Sequence, residues 1–155
     1  KAMDSLEMNT YDRPVFMVLT EHDSVVDSKW IKEMFNERFT HPQSRLMWFG
    51  SQPSGREDKI HYIYSRIPEL RISSMSHMGI LFSPDNTYYG INGTERICRN
   101  HRGKNADKDA AFCKAGNPVW YSAWDGQDGI NVHARLTFNP EFDLMMNDLA
   151  SVFLE

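Results

Sequence analysis

Val15-Phe16-Met17-Val18-Leu19-Thr20-Glu21-His22-Asp23-Ser24-Val25-Val26-Asp27 is the stretch that decides the fold. Its first five residues are apolar without alternation, as in a strand covered on both faces. The run ends abruptly in a polar cluster of Glu21, His22, Asp23 and Asp27. Pro14 stands just ahead of it, where a missing N–H does least harm. In a parallel α/β sheet, chemistry gathers at the carboxyl ends of strands, which is where Asp23 would stand. The competing reading is that Asp23 or Asp27 only caps the helix that follows.

Working outward, Ser28 is placed to cap a helix through Phe39. Trp30, Ile31, Met34, Phe35 and Phe39 fall on one stripe of that helix. His41-Pro42 ends it, and Arg45 to Phe49 reads as a second strand. Gly50 to Asp58 reads as a loop, and Ile60 to Ile67 fits helix or strand. Leu70 to Met75 reads as a third strand that delivers Ser76-His77-Met78-Gly79. Phe82 to Gly93 carries turn residues, residues 99 to 110 read as a charged loop, and Pro118 to Trp124 is aromatic. Asn139 is placed as the N-cap of a last helix, with Pro140 at its first position. Phe142, Met145, Met146, Leu149, Val152 and Phe153 form its apolar face. Residues 1–13 read as a polar lead-in. The expected class is α/β, a short and mostly parallel sheet flanked by helices, in a single domain over 1–155.

The 155 residues suffice for a core without staples. A net charge of −4 gives no reason to expect nucleic acid or an anionic membrane as partner. No apolar run approaches the length of a membrane span. The opening Lys1-Ala2-Met3-Asp4 lacks an initiator Met and reads as a piece of something longer. Cys98 and Cys113 lack the spacing of a zinc site. They are either a disulfide of an exported protein or two thiols of a cytosolic one. The polar, glycine-containing segment between them gains most from a staple, so a disulfide is expected. The compartment stays open between the two.

Asp23 and His77 carry the chemistry. A carboxylate facing imidazole Nδ1 fixes the tautomer and stabilises the imidazolium, leaving Nε2 to take a proton from a nucleophile. Read alone, His77 is more often a satisfied histidine at a strand end; its pairing with Asp23 in chain order weakens that reading. A metal site from His22, Asp23, Asp27 and His77 suits borderline cations by residue type, but no ligand spacing supports it. No cofactor is indicated. His41, His61, His101 and His133 receive no role.

The segment Pro14 to Val26 resembles the penultimate-strand segment of α/β-hydrolases: an apolar strand, a small residue, two variable positions, Asp, two more, Val. His77-Met78-Gly79 is similar to that family's histidine loop. The order acid then histidine also matches. The resemblance covers Pro14 to about Phe82. It implies that Asp23 is the acid and His77 the general base of a Ser-Asp-His triad. It further implies a serine esterase, lipase or lysophospholipase acting on an ester or lipid substrate.

Three departures accompany it. Thr20 stands where glycine is common. His77 follows Asp23 by 54 positions, because Gly50 to Glu69 is inserted. No Gly-x-Ser-x-Gly and no His-Gly-Gly loop occurs in the sequence. The chain therefore reads as the C-terminal part of such a hydrolase without its nucleophile half, inactive alone. Its strand at Val15 to Leu19 would have an open edge that a homodimer closes. The alternative is a non-catalytic binding or accessory module.

Overall fold

The computed structural model describes residues 11–154. Most of the lead-in expected over 1–13 lies outside them. The chain is a mixed α/β structure. Its main sheet holds β1 (Phe16–Thr20), β2 (Arg45–Gly50), β3 (Gly55–Glu57) and β4 (Ile60–Tyr64) in the order β1-β2-β4-β3. β1, β2 and β4 are parallel, and β3 returns antiparallel on β4. Helix α1 (Ser28–Arg38) makes the crossover from β1 to β2. Farther along come α2 (Ala106–Lys114), a small parallel pair of β5 (Trp120–Ser122) and β6 (His133–Arg135), and α3 (Phe142–Phe153).

The unbroken apolar runs have a direct cause. On β2, Leu46 and Trp48 face a core with Phe35 and Phe39 from α1 and its end. Met47 and Phe49 face the opposite core, with Ile72, Leu136, Phe138 and Met145. All four β2 side chains are essentially sealed from water. β1 follows the same alternation: Phe16 and Val18 turn to the second core, Met17 and Leu19 to the first. A strand covered on both faces has no solvent side to mark with polar residues.

Several expectations are corrected. Asp27, not Ser28, caps α1, its Oδ1 accepting from the Trp30 N–H at 3.1 Å. The expected loop over Gly50 to Asp58 contains β3, whose Gly-Arg-Glu is exposed and carries no apolar signal. Of Ile60 to Ile67, the part Ile60–Tyr64 is strand β4. Leu70 to Met75 is not a strand. Ile67 and Ile72 exchange both backbone hydrogen bonds, closing a tight turn around a 3-10 segment at Pro68–Leu70. Arg71 in that turn has a left-handed φ of 55°, and beyond it the segment meets β5 only through a single parallel bridge from Ile72 to Tyr121. Residues 106 to 110, expected as loop, begin α2. Ala106, Ala110 and Cys113 bury one stripe of that helix beneath its charges. Helix α3 starts at Phe142 rather than after Asn139. The buried Asn139 instead ties the helix entry to the preceding loop. Its Nδ2 donates to the Ile80 carbonyl at 3.2 Å and its Oδ1 accepts from the Glu141 N–H at 2.9 Å. Met146 and Phe153, expected on the buried face of α3, are exposed.

Cys98 and Cys113 form the expected disulfide, with Cα atoms 5.5 Å apart, and pack with Val119 and Ala134. Closing a loop of this size contributes about 3 kcal/mol by chain entropy.

Candidate functional site

The site forms where β1 ends. The chain turns at Glu21–His22, and the Asp23 N–H donates to the Thr20 carbonyl at 3.3 Å. Asp23 Oδ1 accepts from the Val25 N–H at 2.7 Å and the Val26 N–H at 3.2 Å. The carboxylate is thus fixed by its own loop, as Asp side chains commonly are. Glu21 braces the turn from outside, its Oε2 accepting from the backbone N–H and hydroxyl of Ser51 at 2.7 and 2.8 Å. Burial works against the Glu21 charge, but the Ser51 hydrogen bonds, aided by His22 and Lys29, hold its carboxyl below the ordinary value.

His77 arrives from the other side. It opens a 3-10 turn, His77–Gly79, that Ser76 caps by accepting from the Met78 N–H at 3.3 Å. Gly79 is required there, because a Cβ would stand 2.7 Å from the Phe138 carbonyl oxygen. Thr20 links the halves: its hydroxyl donates to the Met75 carbonyl at 2.9 Å in a buried bond. A glycine at that position would leave β1 and the histidine segment untied.

His77 Nδ1 lies 3.2 Å from Asp23 Oδ1. The acid side chain is nearly buried at 7% exposure, and the ring is 32% exposed. His22 and Asp27, weighed as metal ligands with them, do not complete a cluster. Asp27 is committed to the α1 cap, and no three His, Cys, Asp or Glu side chains converge among the described residues.

Three other histidines meet carboxylates, none legible from sequence; His133 Nε2 stands 4.0 Å from Asp128 Oδ2 and its side chain is sealed. His61 Nδ1 lies 2.5 Å from Asp148 Oδ2, and Arg56 holds the other oxygen of that carboxylate at 2.5 Å. The pair clamps α3 to β3 and β4, and the His61 side chain is only 11% exposed. His101 contacts Asp109 through Nε2 and the Arg102 carbonyl through Nδ1. Burial opposes its charge, yet those two contacts raise its pKa above the ordinary value. With both nitrogens engaged, His101 has none to offer a substrate. Of the four, His77 has the most open ring, and it faces both a carboxylate and an apolar cavity.

That cavity is an apolar groove of about 520 Å³, bordered by Phe16, Val18, His77, Ile80, Met145 and Leu149. It runs between the outer edge of β1 and α3. Trp120, Tyr121 and Trp124, from the aromatic stretch, take no part in it. No known family, curated protein or solved structure matches the chain.

Proposed function

We propose that this chain supplies the acid, Asp23, and the general base, His77, of a Ser-Asp-His triad in an α/β-hydrolase-type enzyme. The substrates are carboxylic esters or lysophospholipid-like esters. The observation that carries the reading is the Asp23–His77 contact at 3.2 Å, opening on an apolar groove. The carboxylate orients the ring and stabilises the imidazolium, while Nε2 receives the proton of a serine and returns it to the leaving alkoxide. The groove takes the acyl chain. The serine and the oxyanion donors come from polypeptide outside this sequence, which contains no Gly-x-Ser-x-Gly.

Without those groups the main electrostatic contribution to catalysis is missing. The purified chain is expected to hydrolyse p-nitrophenyl esters no faster than free imidazole. Turnover well above that rate would overturn the divided-triad reading. A chain that remains inert after a serine-bearing segment is joined to it would favour a binding module instead.

The groove surface has a second consequence. Among the described residues no strand pairs with the outer edge of β1. Leu81, Met146 and Phe153 stand exposed nearby. Open apolar edges associate unless blunted, so the isolated chain forms a homodimer. Sedimentation should give twice the 18.0 kDa chain mass; a monomer at high micromolar concentration would refute the dimer.

A further inference from the structure

We propose that Arg135 anchors an oxyanion-binding site beside the His77 turn, taking the phosphate or carboxylate group of a small ligand. Arg135 lies on β6 and is 9% exposed. A guanidinium keeps its charge at any ordinary pH, so burying one without a counter-charge is costly. No carboxylate of the described residues pairs with it. Its partners are neutral: Nε donates to Asn100 Oδ1 at 2.6 Å, and Nη1 reaches Met78 Sδ at 3.7 Å. The guanidinium carbon stands 4.8 Å from the Trp124 ring centroid. Burial pushes its pKa down, and no neighbouring acid opposes that shift.

The surroundings hold the group in place without neutralising it. Asn100 is sealed, and its Nδ2 spends both hydrogens on Ser122 Oγ and the Ala123 carbonyl, at 2.7 and 2.9 Å. Its Oδ1 is therefore obliged to face Arg135. Trp124 supports the guanidinium. Nη2 donates to no described residue and is not sealed. A rigid fork with a free planar N–H₂ recognises oxyanions. Met78 follows His77 directly, so Arg135 stands beside the turn that carries His77. This site stands on Arg135 alone and does not depend on the triad.

The test is titration of the unmodified protein with inorganic phosphate, and separately with acetate, following the Arg135 Nε–H resonance. Saturable movement at millimolar concentration supports the site, and the stronger response of the two anions identifies the source. Arg135→Lys keeps the charge and loses the fork, and it should bind about tenfold more weakly. An Arg135 resonance that neither anion moves in the folded protein overturns the inference, as does equal affinity in Arg135→Lys.

Discussion

On the proposed divided-triad reading, Asp23→Asn in the chain joined to a serine-bearing segment is expected to lower kcat about 10⁴-fold, with KM little changed. That corresponds to about 5.5 kcal/mol of barrier. The substitution is clean for a local reason. The Val25 N–H, the Val26 N–H and His77 Nδ1 all meet the same oxygen, Oδ1. Asparagine retains a carbonyl oxygen for the two amides, so the loop persists while the charge facing the imidazolium is lost. His77→Ala should cost as much or more, and the double variant no more than the worse single one, because the residues act as a unit. Ester turnover under single-substrate kinetics checks all three. An Asp23→Asn enzyme within tenfold of the parent would leave Asp23 as a loop-forming residue only.

The second large effect is structural. Trp48→Ala should destabilise the fold by about 3–5 kcal/mol. Trp48 is 1% exposed on the central strand β2, packed with Leu19, Phe35 and Ile60. Its Nε1–H donates to Gln52 Oε1 at 3.0 Å, and Lys32 Nζ lies 4.5 Å from its ring centroid. Truncation would open a cavity between the sheet and α1 and orphan the Gln52 acceptor. Domains are stable by only about 5–15 kcal/mol, so the loss is a large fraction of the total. At this size the melting temperature should fall by about 10 °C, measurable by circular dichroism. Trp48→Phe should recover part of the loss. A fall of only a degree or two in the alanine variant would mean that α1 is not packed on β2 as described.

What the sequence reveals follows the range of the forces involved. β1, α1 and β2 are legible because their signal is local: a five-residue apolar run, a helical stripe and a four-residue apolar run. β3 is not, since Gly55-Arg56-Glu57 is exposed and pairs only because β4 offers an edge. Leu70 to Met75 misleads because its apolar residues suggest a strand, while the Ile67–Ile72 turn has already consumed the ladder bonds of Ile72. Charges along residues 104 to 109 conceal the small buried stripe of α2. Asp23 and His77 could be singled out by position and order along the chain. The tie between Thr20 and Met75 that joins their segments spans 55 positions, and no local pattern announces it. The isolation of Arg135 is hidden for the same reason, since Asn100, Trp124 and Met78 approach it from three separate segments.

The most direct test of the Asp23–His77 pairing is the tautomer of His77, read from long-range ¹H–¹⁵N spectra of the neutral ring. The structure places Nδ1 against a carboxylate oxygen at 3.2 Å, where a lone pair would be repelled and an N–H attracted. The account predicts the proton on Nδ1 and a free lone pair on Nε2, with that preference weakened in Asp23→Asn. A proton held on Nε2, unaffected by Asp23→Asn, would contradict the assignment of His77 as a base oriented by Asp23.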